Sequence, residues 1–527
     1  MPERLTKKKI QELLASRFSE DECTKLSQMP KPHLFKDISK AAKRIKQAIE
    51  SQESIAIVGD YDVDGVVSSV IIADFFDDLG VDYTMRIPNR FSDGYGLNPS
   101  IVEELDATLI ITVDNGISAV EAAEKCLEKG IDLIITDHHT PPVELPNAYA
   151  IINPKQEDCD FPSCEICGAQ VAWYMVAALK EECQINYDLS RYLDILAIAI
   201  MADMMELKDM NRAMVKSGMK FLNNSSRPAF KAIKNLFGKE QFETDDISFL
   251  IAPLINSSGR MDDATLSYEF LKAKYLDDAT SILEEITALN NLRKEQEKLL
   301  FEASLETVKE NENVIVSWGE GWHEGVIGIV ASRLAKRFKK PAIVFSIDGE
   351  KAKGSARSIG NVDILSLVAK QEDLLLGFGG HKGAAGMSIE PSNLPSFKEA
   401  LVSTCKEITA ESLASADGLL GEIDPEEIDF ELLEILEYFE PYGQKNPRPS
   451  FLIKNIEVKL TRYIGKDSNH LKLILQNKNK TLESLFFNFD TDVQKGDIID
   501  LVFTVSKNSY RGLVTPQLLI KQILSYK

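Results

Sequence analysis

The feature that most constrains this chain is the alternation running from Ser54 to Pro154. Short apolar runs sit inside "SIAIVGD", "VDYTMRIP", "ATLIITVDNG", "IDLIITDHH" and "AYAIINP". Helix-like segments, "VVSSVIIADFFDDLG" ended by Gly80 and "SAVEAAEKCLEKG", stand among them. Strands without a polar face, separated by helices, need cover on both sides. That pattern predicts an α/β domain built on a parallel sheet. The polar residues at the strand ends then matter most, because ligands bind beyond the carboxyl edge of such sheets.

That edge is crowded with acids. The first strand runs into Asp60-Tyr61-Asp62-Val63-Asp64-Gly65, a later one into Asp114-Asn115-Gly116, and another into Asp137-His138-His139. A following helical segment carries Asp203 in "MADMME". A lone Asp at a strand end commonly starts a turn or caps a helix. Acids arriving from four segments at one edge repel each other unless something compensates. Divalent cations do so, and mixed Asp and His donors suit Mn2+ or Mg2+ better than zinc. The number of donors suits two ions, which can activate water and clamp a phosphate for in-line displacement.

Bulk properties frame this reading. A chain of 527 residues exceeds one hydrophobic core, so three or four domains are expected. No apolar run approaches the roughly 18 residues a membrane helix needs, so no membrane role is expected. "MPERLTKKKIQELL" lacks the apolar core of a secretory signal, so the cytoplasm is the expected compartment. The net charge of −22 on its own argues against a nucleic-acid partner, but a basic groove can coexist with an acidic exterior. Cys159, Cys164, Cys167 and Cys183 form a loose group, but their spacing matches no common zinc module and no histidine lies near. Ordinary reduced thiols are expected.

Beyond the first domain, residues 168–222 look helical. Residues 263–312 read as long helices joining two lobes. A second α/β pattern starts at Asn313 and ends in "GFGGHKGAAG". After the Pro/Gly-rich "FEPYGQKNPRPSF" come about five alternating strands, which suggest a small barrel of the OB type. Its basic and aromatic residues, Tyr463, Lys466, Lys472, Lys507, Tyr510 and Arg511, suit single-stranded nucleic acid by charge and stacking. His323 in "GWHEGVIG" either caps the next helix or lines the cleft.

The ordered set "GDYDVDG", "VDNG", "DHH" and the "AD" at 202–203 resembles the four motifs of the DHH phosphoesterase superfamily. "IPNRFSDGYG", "PLINSSGRM", "GWHEGVIGIVASRL", "KGSARS", "GGHKGAAG" and "EPYGQKNPRP" extend the likeness to that superfamily's bacterial single-strand-specific 5′→3′ exonucleases. The resemblance implies a DHH catalytic domain over 1–222, a helical connector over 223–312, a DHH-associated substrate-binding domain over 313–410 and an OB-like nucleic-acid-binding domain over 411–527. It implies that Asp62, Asp64, Asp114, His138 and Asp203 hold two Mn2+ or Mg2+ ions, with Asp114 bridging. His139 would face the scissile phosphate, with Asp137 and Asp60 orienting the ligands. Arg90, Asn256, Arg260, Ser355, Arg357, Gly379, Gly380 and His381 would bind substrate. Val58 departs from members that carry a metal-binding histidine four residues before the first ligand aspartate.

The implied activity is hydrolysis of single-stranded DNA from the 5′ end to mononucleotides, in repair and recombination. The implied partners are the DNA strand, a helicase and a single-strand binding protein. A hydrolase of small phosphate esters and a non-catalytic replication scaffold are the rival readings. The long connector and terminal barrel speak against the first, and the intact acids against the second.

Overall fold

The computed structural model describes residues 4–309, 311–408, 418–465, 468–478, 480–489, 491, 493–510 and 513–526. The chain divides into two compact units. One comprises Pro30–Asp203 and Phe221–Ser415, the other Met1–Met29, Met204–Lys220 and Ala416–Lys527.

The first unit opens with the expected parallel sheet. Strands β1 (Ile55–Val58), β2 (Thr84–Arg86), β3 (Leu109–Val113), β4 (Asp132–Thr136) and β5 (Ala150–Ile152) lie in the order β2-β1-β3-β4-β5. Every neighbouring pair is parallel. The order reverses beside β1, with β2 on one flank and β3 on the other. This is the switch point at which open α/β sheets form their crevice. The helix Val63–Leu79 is apolar nearly all round because it is buried on nearly every side. Asp62 caps its start, and Gly80, at φ 67°, ends it.

The long helix Leu276–Leu305 carries the chain to a second, mixed sheet. Its strands are β6 (Ile315–Glu320), β7 (Ala342–Asp348), β8 (Lys351–Arg357), β9 (Leu375–His381) and β10 (Ala384–Ile389), in the order β6-β7-β8-β10-β9. One face packs on a core containing Phe345, Ala356, Met387 and Phe397.

In the second unit, β11 (Leu419–Glu422) runs parallel to β12 (Ser450–Ile464). With β13 (His470–Asn477), β14 (Lys480–Phe487), β15 (Ile498–Tyr510) and β16 (Leu513–Tyr526), β12 closes a five-stranded barrel, because β12 also pairs with β15. The expected OB-like barrel is therefore present. The first residues of the chain belong with it: Leu5, Ile10 and Leu14 are buried in the same core as Phe451, Leu471 and Phe503. Leu5 N–H also donates to Glu422 O at 2.7 Å. The Pro/Gly-rich stretch before β12 is pinned by Asn446, whose amide donates to the carbonyls of Phe439 (3.0 Å) and Pro441 (2.7 Å). Among the described residues no helix is long and apolar enough to cross a membrane.

Candidate metal centre and substrate cleft

Three strand ends and one helix end bring the predicted acids together. Asp60, Asp62 and Asp64 follow β1, Asp114 follows β3, Asp137, His138 and His139 follow β4, and Asp203 ends the helix Leu193–Ala202. Asp114 sits at φ 62°, a left-handed conformation that Asp tolerates better than most residues and that is often kept at functional sites. Asn115 secures this edge. Its amide donates to Val58 O and Val113 O at 3.0 Å, and its oxygen accepts Leu97 N–H.

Three groups of side chains can each hold one cation: Asp60–Asp62–Asp114, Asp64–His138–Asp203, and Asp114–His138–His139. Within each, the donor atoms lie within 4.8 Å of one another. His138 Nε2 lies 3.3 Å from Asp114 Oδ1, 3.6 Å from Asp203 Oδ2 and 3.7 Å from Asp64 Oδ2. Asp114 belongs to two of the groups. Its Oδ1 and the Oδ2 of Asp203 are buried without a hydrogen-bond partner among the described residues. Buried carboxylate oxygens left bare are costly, and a hard divalent cation satisfies both. The residues present fit such ions. Val58 is fully buried in the apolar core and offers no ligand.

The acids are braced from behind. Asp64 accepts Gly168 N–H at 2.6 Å and Ala169 N–H at 2.9 Å, from the start of the helix Gly168–Glu182. Asp62 accepts the N–H groups of Asp64 and Gly65. Asp137 accepts Ile117 N–H, His138 N–H and His139 N–H and lies 2.7 Å from His139 Nδ1. Burial, then the charge of Asp62, pushes Asp64 up to about 6. Burial and the neighbouring acids push Asp60, Asp114 and Asp203 well above the usual carboxylate range. Burial also opposes charge on Asp137 and His139, but their mutual hydrogen bond outweighs it. Asp137 stays below its ordinary value and His139 rises to about 9. Burial and His139 hold His138 down at about 3, so its neutral ring is free to bind a metal.

Next to the acids lies a cavity of about 440 Å³, lined by Tyr61, Tyr95, Arg90, Arg260, Ser355 and Arg357 among others. Arg90 stacks its guanidinium 3.9 Å from the Tyr61 ring centroid and donates to Gly259 O at 3.1 Å. Arg260 donates to Gly325 O, and Arg357 to Ser355 Oγ and Ala356 O. Burial and the charge of Arg90 pull Arg260 down to about 10 and lower Arg357 as well. Arginines that line one cavity and form no ion pair among the described residues make an anion site. The charge conflict in the sequence resolves here, because an acidic chain concentrates arginines in one cleft.

Asn256 Oδ1 accepts Val63 N–H at 3.2 Å, so it braces the carboxylate loop. His323 Nδ1 accepts Gly325 N–H and caps the helix Glu324–Phe338, the first of its two readings, and its ring stands edge-on to Phe91 at 5.5 Å. Gly379, Gly380 and His381 lie on exposed β9, and His381 Nδ1 accepts Gly383 N–H. On the barrel, Tyr463 is exposed, Lys472 pairs with Glu483 at 2.7 Å and Lys507 with Glu437 at 3.5 Å. Lys466 and Arg511, and the side chain of Tyr510, lie outside the described residues. The cysteines are free thiols, and none joins a metal-capable group among the described residues.

Sequence reasoning missed Tyr61, Tyr95 and Gly168. Tyr95 Oη lies 3.4 Å from His139 Nδ1. A Cβ on Gly168 would overlap Asp114 Oδ1. Both tyrosines stand inside quoted motifs, but nothing in the spacing marks Gly168.

Family models match along the chain: the DHH family N-terminal domain over 54–200, the DHHA1 domain over 311–407 and the RecJ OB domain over 421–522. The chain is 33% identical to the single-stranded-DNA-specific exonuclease RecJ of Haemophilus influenzae, covering 94% of this chain and 92% of that one. It is 35% identical to the Bacillus subtilis RecJ over 93% of its own length, but spans only 64% of that relative. The crystal structure of RecJ from Thermus thermophilus in complex with Mn2+ superposes with a TM-score of 0.84 at 26% identity, covering 98% of this chain and 75% of that one. A RecJ exonuclease bound to manganese matches at TM-score 0.64 and 29% identity, covering 72% of this chain and 97% of that one. With its carboxylate edge, its mixed second sheet and its closed barrel matched in chain order, this chain belongs to the RecJ family of DHH phosphoesterases.

Proposed function

We propose that this chain is a metal-dependent exonuclease that hydrolyses single-stranded DNA from the 5′ end and releases mononucleotides. The observation that carries this is the acid and histidine cluster opening beside a cleft lined by three arginines. Relatives named single-stranded-DNA-specific exonucleases and solved structures named as manganese complexes support it. Asp62, Asp64, Asp114, His138 and Asp203 are the residues that would hold two Mn2+ or Mg2+ ions, with Asp114 shared. Bound there, such ions would supply the Lewis acidity that activates water at neutral pH and the positive charge that offsets negative charge on the phosphate. Arg90, Arg260, Ser355 and Arg357 hold the strand's phosphate through fork and hydroxyl donors. His139, kept protonated by Asp137, presents positive charge and a proton toward the scissile group, and Asp60 steadies Tyr61 through its backbone N–H.

The division into a catalytic domain, a connector, a DHH-associated domain and a barrel that holds the strand belongs to this proposal. So do a cytoplasmic location, a role in repair and recombination, and partnership with a helicase and a single-strand binding protein. The test uses long single strands labelled at either end, with Mn2+ or Mg2+. The expected result is metal-dependent loss of the 5′ label first, as mononucleotide. Asp114→Ala should abolish it in a protein that still folds. Near-normal turnover by folded Asp114→Ala, or release of the 3′ label first, would overturn the reading.

A further inference from the structure

The carboxyl edge of the first sheet presents a cation that the acids and arginines described above leave unused. Strand β5 lies beside β4, and its end is tied to the Asp137-His138-His139 loop. Asp137 N–H donates to Ile152 O at 3.0 Å. The Asn153 amide donates to His139 O at 2.9 Å, and its oxygen accepts Lys155 N–H at 2.8 Å. Gln156 closes the turn by donating to Ile151 O at 2.8 Å. From Ala150 to Gln156 every residue is buried except Lys155. A turn braced on all sides thus offers a single side chain, and that side chain is a cation beside His139.

Lys155 forms no ion pair among the described residues. Its charge is nevertheless felt on two sheets. On the first, burial and the neighbouring acids raise Asp203, while the charges of His139 and Lys155 work against them. On the second, burial lowers His381, at the end of β9, and the charges of Arg357 and Lys155 add to it. The amine therefore lies within electrostatic reach of both the acids and the second sheet. That position selects one atom of the substrate. With the scissile phosphate at the acids and the end of the strand toward Ser355 and Arg357, the oxygen between them is O3′ of the terminal nucleotide, the atom that leaves.

We propose that Lys155 is a catalytic residue that serves this leaving oxygen, an assignment that rests on the proposed function. Hydrolysis forms a bond from a water oxygen to phosphorus and breaks the bond from phosphorus to O3′. The electron pair of the broken bond goes to O3′. The Lys155 ammonium offsets the charge that grows there and gives O3′ a proton. The water releases one proton to solvent, and solvent returns one to the amine. His139 faces the scissile phosphate itself, and Lys155 faces the oxygen that departs.

The test compares Lys155→Ala and Lys155→Arg with the unmodified full chain. Melting temperature and Mn2+ affinity should hold in both. On a single strand with Mn2+, Lys155→Ala should lower kcat about a hundredfold with KM within about twofold, and Lys155→Arg should recover about tenfold of that loss. A second strand carries sulfur in place of the first bridging O3′. A thiolate is a far better leaving group than an alkoxide and needs neither cation nor proton. Lys155→Ala should therefore cut this strand within about threefold of the unmodified rate. An equal loss of kcat on both strands overturns the inference. So does a normal kcat with KM raised only for strands that bear a 5′-phosphate, which would make Lys155 an anchor for that phosphate. A variant with lowered melting temperature or Mn2+ affinity overturns it as well, because Lys155 would then serve the fold. An unmodified chain that degrades no single strand overturns the parent reading, and this inference with it.

Discussion

Gly168 does more for the metal centre than its lack of a side chain suggests. Its N–H holds Asp64, and the space its missing Cβ leaves is where Asp114 sits. Gly168→Ala should push Asp114 out of place and weaken both cation sites together. Mn2+ titration should show at least about tenfold weaker binding at unchanged helix content by circular dichroism. Mn2+ binding equal to that of the unmodified protein would refute this. Asp64 supplies a pH signature. Its carboxyl titrates near 6 in the metal-free fold, above its ordinary value of about 4. A carboxyl raised in this way favours the folded state fully at low pH, and that contribution is lost as pH climbs through about 6. For Asp64 the loss is on the order of 3 kcal/mol. Cations reverse it by stabilising the ionised form. The rise in melting temperature on adding Mn2+ should therefore be larger at about pH 7.5 than at about pH 5. Equal rises at both would mean Asp64 does not titrate in this range.

At the scale of elements, the helix Ala252–Met261 couples the two halves of the site. Asn256 holds the first turn after Asp62, while Arg260, four residues on along the same helix, reaches the cleft. Between them Gly259 packs on the Tyr61 carbonyl, and its own carbonyl receives Arg90. A Cβ there would overlap Tyr61 O, so the helix or the loop must shift. Gly259→Ala should detach Arg90 and lower single-strand affinity about tenfold, with a smaller change in Mn2+ affinity. The salt dependence of binding should flatten, because a phosphate contact is lost. Unaltered affinity and salt slope would show that the packing tolerates the methyl group.

Across the whole molecule, the barrel depends on the chain's other end. Leu14 is fully buried among barrel residues, so Leu14→Ala removes core volume at a cost of about 2–5 kcal/mol. Calorimetry should show the transition of the barrel unit moving down while the unit that holds the acids melts as before. A shift confined to the catalytic unit would contradict this. The same packing governs how the barrel can be removed. A chain cut after Glu422 strips the cover from Leu5, Ile10 and Leu14, so residues 1–29 must leave with the barrel for the catalytic unit to stay soluble.

The parallel sheet, the barrel and the acids were legible in the sequence for one physical reason. Period-two and buried-strand patterns are local, and in a parallel sheet a residue just past a strand end has only one edge to occupy. Asp62, Asp64, Asp114 and His138 could thus be placed together before any contact was known, whereas Asp203, at a helix end, joined them through the resemblance of its motif. The long connector helix and the five barrel strands follow from the same local periodicities. What the residue order could not carry was set by approach between distant segments. Gly168 matters because Asp114, on another strand, fills its space. Asn256 braces a loop far away in the chain, and His323 caps its own helix. The opening "MPERLTKKKIQELL" shows in the sequence only that it lacks a signal core, and only the folded chain shows which core Leu5, Ile10 and Leu14 complete. Periodicity tells a residue which face it occupies, and packing alone decides what that face meets.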